Sequence, residues 1–492
     1  MPKVNMELYH GRKYKMTVLD NTKPFNYYFE EITKIPHGSY HEEKIADYIE
    51  QFAKDKQLKY FRDDMHNVVI FKEASKGYEN SDALLLQAHI DMVNEKDKDS
   101  THNFDTDPLE LYIEDGWLHA KGTTLGADDG TGVAYMLSIL ADQEAKHPAL
   151  ECAFTVQEEV GLKGAAYLDT SSLKATRMIN LDSESEGEMC ISSSGVIDEE
   201  IYKPYTLVEN KNPVYQLEIS GLCGGHSGAE IHKGKGNSIK LLSRILYHMI
   251  QDGIEIQLID IKGGSKKNAI PRDASCIYAT PSKIEDMIES INKSFTDIKN
   301  EYKENDPNIT IQLGEMTCPV CMEKKDSIDI INYLYLSING CLEMSQSMED
   351  LPINSLNLGV LETLDDKIVA YYHIRSPQKS KRLETCEMLE GVAKLCHCDY
   401  KHFGDHDGWD RDPNSKLRKT YKDFYTMKTG IEVKEYATHG GLETGTFKGK
   451  MPQLDIITIG PNMENVHSPS ERLNLESFEK NYYILKEFME TL

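Results

Sequence analysis

The first part of the chain alternates short apolar runs with stretches in which apolar residues recur at helical spacing. The run from Ala83 to Leu86 is typical of a strand. The residues Val133, Met136, Leu137 and Leu140 recur every three or four positions, which predicts a helix. Strands and helices in alternation are typical of an α/β domain, and we assign residues 1–195 to the first part of one.

The pattern changes from about residue 196. Alternation from Val214 to Ile219 predicts a strand, and the charged stretch from Lys283 to Lys299 predicts a helix. We interpret residues 196–406 as a separate α+β domain inserted in the first. Residues 407–492 begin after a turn-rich segment, return to a helix, the strand Ile456 to Ile459 and a final helix, and are expected to complete the first domain's sheet.

Composition mainly excludes classes of partner. The chain of 492 residues has 81 acidic and 55 basic residues and a formal net charge of -26, which repels phosphate backbones, so we expect no nucleic-acid partner. The segment from Met1 to Glu7 lacks a signal peptide's apolar core, and no uncharged run reaches membrane-spanning length. Ten scattered cysteines are typical of reduced thiols. A cytoplasmic protein with no membrane partner is expected.

Acidic residues and histidines follow apolar, strand-like runs at four places. In an open parallel sheet such residues collect at the carboxyl edge, where these folds place their sites. A fifth cluster lies in a tight turn that opens a helix. The five clusters are His89-Ile90-Asp91, Glu158-Glu159, Asp182, His467, and Asp128-Asp129 in the turn.

These clusters contain imidazoles and carboxylates but no cysteine, which suits zinc, manganese or cobalt. In a two-metal site one carboxylate bridges both ions, and a water between them becomes a strong nucleophile near neutral pH. Hydrolysis of an amide is therefore the expected reaction. Because side chains alternate along a strand, Asp91 lies on the same side as His89 and can hydrogen-bond its second ring nitrogen.

In their order along the chain and in the residues that surround them, the clusters resemble those of the dinuclear zinc peptidases. This family includes carnosinases, aminoacylases, tripeptidase T and carboxypeptidase G. The similarity is greatest to its aminoacyl-histidine dipeptidase branch. It continues through Gly224–Gly228, Asn268–Arg272, His439–Glu443 and Gly460–Pro469, and so spans nearly the whole chain. The resemblance implies a catalytic domain with a central mixed sheet flanked by helices, and an inserted α+β lid domain.

The resemblance also implies roles for individual residues. Asp128 would bridge two zinc ions, which cobalt or manganese can replace, and the peptide bond after it would be cis. His89 and Asp182 would complete one metal site, and Glu159 and His467 the other. Asp91 would orient His89, and Glu158 would be the general base.

In the lid the resemblance makes His226 a donor to the developing oxyanion. Asn268, Arg375 and Glu443 would bind substrate. Two positions depart from the dipeptidase branch: Asp129 stands where Asn is frequent, and Thr444 where Cys is usual. The lid is longer than in simpler members of the family, which suggests that it serves the active site of its own chain. Whether the protein forms a homodimer is left as an alternative.

The function expected from these features is metal-dependent hydrolysis of dipeptides, of the Xaa-His type such as carnosine and with broad specificity. Alternatives are a tripeptide aminopeptidase, an N-acyl amino acid deacylase, or an inactive scaffold. The presence of every expected ligand and of Glu158 counts against the scaffold. A structural zinc site at Cys318, Cys321, Cys396 and Cys398 is a further alternative, disfavoured by the unequal spacing of the two pairs.

Overall fold

The computed structural model describes residues 17–492, so the amino-terminal segment examined for a signal peptide lies outside the described residues. The chain divides into two compact units. Unit 1 extends to Met189 and includes Ser415–Lys434 and Leu454–Leu492. Unit 2 consists of Cys190–Asn414 and Glu435–Gln453.

The expected boundaries, after residues 195 and 406, lie near the first two of these divisions. The return of 435–453 to unit 2 was not anticipated from the sequence. The reason is that this short segment contributes one strand and one short helix, a pattern that fits either unit equally well.

Eleven helices lie in the described part of the chain. They are α1 (Pro24–Ile32), α2 (Glu43–Asp55), α3 (Ala127–Ala141), α4 (Lys163–Tyr167), α5 (Ser238–Gln251), α6 (Ile284–Glu301), α7 (Lys324–Leu336), α8 (Lys379–Leu395), α9 (Lys416–Thr429), α10 (Glu443–Lys450) and α11 (Leu475–Met489).

The described part of the chain also contains 25 strands. They are β1 (Lys59–Arg62), β2 (Val68–Lys72), β3 (Leu84–His89), β4 (Leu111–Glu114), β5 (Trp117–Ala120), β6 (Leu150–Thr155), β7 (Arg177–Asn180), β8 (Glu188–Ser193), β9 (Gly195–Pro204), β10 (Leu207–Glu209), β11 (Val214–Ser220), β12 (Gly225–His226), β13 (Gln257–Gly263), β14 (Ala269–Ile270), β15 (Ala274–Ala279), β16 (Thr310–Met316), β17 (Val320–Met322), β18 (Gly340–Met344), β19 (Pro352–Thr363), β20 (Lys367–Ser376), β21 (Asp399–His406), β22 (Lys434–Thr438), β23 (Asp455–Thr458), β24 (Met463–Glu464) and β25 (Arg472–Asn474).

The sheet of unit 1 is mixed, and six of its strands lie wholly in that unit, in the order β1-β2-β6-β3-β7-β23. Strand β3 runs parallel to β6 and β7, and β23 runs parallel to β7, whereas β2 is antiparallel to both neighbours. Every residue of β3 and β6 is buried, as expected for central strands covered on both faces. The predicted helix around Val133 is α3, and β23 completes the sheet begun by the first segment, as expected.

Unit 2 contains an antiparallel sheet of nine strands, in the order β16-β11-β15-β13-β19-β20-β9-β21, with β18 paired to β19. The strand predicted from Val214 is β11 and the predicted charged helix is α6. Helix α6 buries only one face, including Met287, Ile291 and Ile298, against the apolar core of the unit. Strand β21 lies at the edge of this sheet.

The ten cysteines, which all lie between residues 152 and 398, are free thiols, as the sequence predicted. Seven of them are buried, which is usual for cysteines that act as small apolar residues. Within 17–492 no helix has both the length and the apolar character needed to cross a membrane.

Candidate active site

The acidic and histidine clusters of unit 1 meet at the carboxyl edge of its parallel strands. His89 is the last residue of β3, and Glu158 and Glu159 follow β6. Asp182 lies two residues beyond β7, and His467 follows β23 and the short strand β24. Because β6, β3, β7 and β23 are neighbours in that order, parallel pairing is what gathers residues so distant in sequence.

Asp128 lies at the centre of this group. Its Oδ1 atom is 3.0 Å from His89 Nε2, and its Oδ2 atom is 3.2 Å from His467 Nε2. The carboxylate therefore presents one oxygen to each histidine. Asp128 and Asp129 have non-helical backbone angles at the start of α3, and the peptide bond between them is cis, which confirms that expectation.

Two groups of potential ligand atoms share Asp128. One contains His89, Asp128 and Asp182, and the other contains Asp128, Glu159 and His467; within each group the atoms lie within 4.8 Å of one another. A third group of the same compactness joins His89, Glu158 and Glu159. Proximity alone therefore does not distinguish Glu158 as a base from Glu158 as a ligand.

The electrostatics of this cluster favour a cation. Burial, and then the charge of Asp128, raise the pKa of Asp182 well above its usual range. Hydrogen bonds with Asp128 and Glu159 raise the pKa of His467 to about 11. Both pKa values rise because several carboxylates lie together in a buried place. Each carboxylate opposes the ionisation of its acidic neighbours and stabilises the protonated, positive form of a nearby histidine.

Asp91 is buried and fixes the backbone of the segment that carries Glu158 and Glu159. Its carboxylate accepts hydrogen bonds from Ser39 Oγ at 2.8 Å, from Glu158 N at 3.0 Å and from Glu159 N at 3.3 Å. The expected bond from His89 differs in detail: Nδ1 bonds the carbonyl oxygen of Asp91 at 2.9 Å and lies 3.5 Å from its carboxylate. Both contacts favour the tautomer that leaves Nε2 of His89 free of a proton, as a metal ligand requires.

Two further buried acids support the site and were missed in the sequence. Glu471 accepts the backbone N–H groups of Leu125, Gly126 and Ala127 at 2.7, 3.1 and 2.8 Å, and so fixes the turn that leads into Asp128. Glu42 accepts the N–H of Gln157 at 3.2 Å, next to Glu158. Glu471 follows a Ser-Pro-Ser turn, a context typical of solvated surface, and only its position four residues after His467 could have drawn attention to it.

In unit 2 the structure brings His226 and Asn268 together, because β12 pairs with β14 and Ser227 N bonds the Asn268 carbonyl at 2.9 Å. The Nδ1 atom of His226 accepts the N–H groups of Gly228 and Ala229, each at 3.2 Å. Burial, followed by the positive charge of Arg375, lowers the pKa of His226. A neutral ring whose Nδ1 is an acceptor carries its proton on Nε2, so His226 is a hydrogen-bond donor at Nε2.

Arg375 is 6% exposed and forms no ion pair with a carboxylate in the described residues. Its guanidinium makes one long hydrogen bond, 3.4 Å, to the carbonyl of His439. The acid that most influences it, Asp198, is bound by His373 and Lys267. Burial lowers the pKa of Arg375 to about 10, so the group stays charged at neutral pH without a counterion.

Glu443 and Thr444, which the sequence assigned to the second part of the catalytic domain, lie in unit 2 and are less informative. Glu443 is fully buried as the first residue of α10. Thr444 is also buried, and its hydroxyl lies 3.3 Å from that of Ser193, so the threonine is accommodated within unit 2. None of the four cysteines considered for structural zinc belongs to a compact ligand group within residues 17–492.

Comparisons with known proteins identify the family of this chain. The family model described as peptidase family M20/M25/M40 matches residues 85–491. A cytosol non-specific dipeptidase of Escherichia coli (strain K12) is 36% identical over 472 residues, which cover 94% of this chain and 96% of the relative.

Solved structures give the same result. The aminoacylhistidine dipeptidase of Vibrio alginolyticus has a TM-score of 0.87 and 35% identity, over 95% of this chain and 96% of its own. The aminopeptidase PepT of Bacillus cereus shares the fold, with a TM-score of 0.56 at 15% identity, over 96% and 99% of the two chains. The family inferred from the motifs is thus confirmed, and this chain belongs to peptidase family M20/M25/M40.

Proposed function

We propose that this peptidase hydrolyses dipeptides, of the Xaa-His type among others, at two divalent metal ions held by unit 1. The observation that carries the proposal is the position of Asp128, whose two oxygens face two different histidines at 3.0 and 3.2 Å. The dipeptidase names of the Escherichia coli and Vibrio alginolyticus relatives support the choice of substrate.

The residues present fit two metal ions. Nitrogen and carboxylate ligands without cysteine suit zinc, cobalt or manganese, and we propose zinc as the resident metal. His89 and Asp182 would complete one site and Glu159 and His467 the other, with Asp128 in both. Two such ions would polarise the peptide carbonyl and make a water molecule nucleophilic near neutral pH.

Glu158 is the proposed general base. Its backbone N–H is fixed by the Asp91 carboxylate at 3.0 Å, so the side chain starts from a defined position beside the ligands. It would take a proton from the attacking water and deliver that proton to the leaving amine as the C–N bond breaks. Asp91 would thus orient His89 and Glu158 together.

The proposal is tested by a panel of substrates. We expect the purified protein, supplied with zinc, manganese or cobalt, to cleave dipeptides such as carnosine faster than tripeptides or N-acyl amino acids. Faster cleavage of tripeptides would make it a tripeptide aminopeptidase, and preference for N-acyl amino acids a deacylase. No turnover of any substrate with any of the metals would indicate an inactive scaffold.

His226 is proposed to donate a hydrogen bond from Nε2 to the oxyanion that develops on the substrate carbonyl. The hydrogen bonds that its Nδ1 atom accepts support this, because they keep the proton of the neutral ring on Nε2, where it can be donated to the oxyanion.

Replacing His226 by Ala should lower kcat by about 10²–10³, the effect of one lost oxyanion donor, with unchanged metal content. Steady-state kinetics and metal analysis measure the two quantities. His248→Ala, which removes a unit 2 histidine bonded to Ser294 instead, is the matched control and should keep full kcat. An unchanged kcat in His226→Ala would remove this residue from the reaction.

Arg375 is proposed to bind the free carboxylate of the substrate. A buried guanidinium without a counterion is costly, and an anionic ligand relieves that cost when it binds. Arginine suits the task because it can hold a carboxylate through two parallel hydrogen bonds. Asn268 and Glu443 stay proposed neighbours of the substrate.

Replacing Arg375 by Ala should lower kcat/KM for a dipeptide by about 10- to 150-fold, since a hydrogen bond to a charged group contributes roughly 1.5–3 kcal/mol. Amidating the substrate's carboxyl end should slow the normal enzyme similarly but hardly slow the variant further. Arg244→Ala, which breaks an exposed pair with Glu301, is the control. Losses that simply add would contradict this role.

Glu471 gives a further prediction, because it fixes the turn before Asp128. Glu471→Gln replaces one acceptor oxygen by an NH₂ group that faces backbone donors. We expect metal affinity to fall by about 10–100-fold, with activity restored by excess metal. Glu464→Gln, an exposed acid paired with Arg472, should behave as the normal protein. Equal metal affinities of the two variants would show that the turn needs no anchor.

The cellular location and the oligomeric state are also proposals. The Escherichia coli relative is named a cytosol enzyme, and ten free thiols are consistent with a reducing compartment, so we propose a cytoplasmic location. The active protein is proposed as a monomer or homodimer, which the mass in solution distinguishes.

A further inference from the structure

A second group of potential metal ligands lies in unit 2, apart from every residue used above. Strands β9 and β21 pair so that Glu199 stands directly opposite His402, which places both side chains on one face of the sheet. Helix α8 packs on these strands, and its Glu390 carboxylate lies 3.6 Å from His402 Nδ1. One ligand atom from each of the three residues lies within 4.8 Å of the other two.

Glu199 is the unusual member of this group. Its side chain is completely buried, and neither carboxylate oxygen has a hydrogen-bond partner of normal geometry. Its polar neighbours include the thiol of Cys386, a weak donor one turn before Glu390 on α8, and Glu390 itself. The phenols of Tyr333 and Tyr372 also lie close enough for its charge to act on them. Burial, more than any neighbour, raises the pKa of Glu199 to about 7. A buried carboxylate without strong donors is costly unless something absent from the protein chain satisfies it.

We propose that Glu199, Glu390 and His402 form a third metal site, which takes a divalent transition ion, zinc above all. Two carboxylate oxygens and one imidazole nitrogen are ligands that zinc accepts, with water free to complete four-coordination. An ion can enter from the His402 side, because the side chain of His402 is 51% exposed. The side chain of Glu390 is 16% exposed, so the site narrows toward the buried Glu199.

The role of this site would be structural. Its ligands come from the edge strand β21, from the neighbouring strand β9 and from the helix above them. An ion there would tie α8 to the two hydrogen-bonded strands β9 and β21. It would also secure β21, which within residues 17–492 pairs with no strand on its outer side. Metal binding of this kind adds its binding free energy to the folded state.

The competing explanation is a neutral Glu199, protonated and paired with Cys386. The two explanations differ in the number of zinc ions that each chain binds. We expect the full-length protein, stripped with chelator and reloaded with zinc, to hold one ion per chain more than Glu199→Gln does. His402→Gln, a change at a half-exposed position that folding tolerates, should lose the same ion.

Both variants should keep dipeptide turnover, which separates this site from the one in unit 1. Zinc should raise the melting temperature of the stripped normal protein more than that of either variant. Glu387→Gln, on the exposed face of α8, is the matched control and should retain all ions. Equal zinc content in the normal protein and in both variants would overturn the proposal and leave Glu199 as a neutral acid.

Discussion

Replacing Asp128 by Ala is expected to abolish both metal binding and turnover while the fold survives. Each proposed metal site loses a ligand in this variant, because the two oxygens of Asp128 face His89 and His467 separately. Metal catalysis of this type supplies several kcal/mol of charge stabilisation, so kcat should fall by more than about 10³-fold. Metal analysis and kinetics on the same preparation measure both effects.

Asp129→Asn is the matched control for that experiment. Asp129 is the neighbouring buried acid, and its Oδ1 atom accepts the N–H of Gly132 at 3.1 Å near the start of α3. Asparagine keeps an oxygen for this bond, so metal content should be normal. If Asp128→Ala retained two ions per chain and normal turnover, the bridging role would be wrong. Circular dichroism distinguishes a lost site from a lost fold.

Replacing Glu158 by Gln is expected to lower kcat by about 10²–10⁴ and to leave both ions in place. The amide keeps the size of the side chain and cannot accept the proton of the attacking water. Steady-state kinetics at saturating metal give the first quantity, and metal analysis gives the second.

The metal content of this variant also resolves an ambiguity in the geometry. Glu158 forms a compact group with His89 and Glu159, so it could serve as a ligand. Loss of one ion in Glu158→Gln would assign it that role and leave the base unidentified. Glu158→Asp, which keeps the carboxylate but shortens the side chain, should retain the metals and recover part of the activity if Glu158 is the base.

The grouping of these acidic and histidine side chains could be predicted because it depends on local pattern. His89, Glu158 and Asp182 each follow an apolar run within a few residues, and parallel strands bring their carboxyl ends together whatever lies between them. The family resemblance then supplied two things that position alone does not: the proposal that Asp128 is shared by both metal sites, and the cis peptide bond after it, which the structure confirms.

Features that depend on long-range register could not be predicted in this way. Glu471 reaches back to the turn at Leu125, and Glu199 faces His402 only because β9 and β21 pair in one particular register. The donor state of His226 depends on how a single glycine loop folds around Nδ1. In each case the residue type is ordinary, and its partner is chosen by tertiary structure.

The position of β23 in the sheet has a consequence for the order of events during synthesis. His89, Asp128 and Asp182 are all present once the first 182 residues have been made, and the strands β3, β6 and β7 that carry this half of the site are then complete. His467 and Glu471 are translated almost last. A nascent chain can therefore assemble the first proposed set of ligands, and also Glu159 of the second, while His467 and the Glu471 anchor of the turn before Asp128 are still missing. Because domains begin to fold during translation, the reactive two-metal centre would be assembled only as the ribosome finishes the chain.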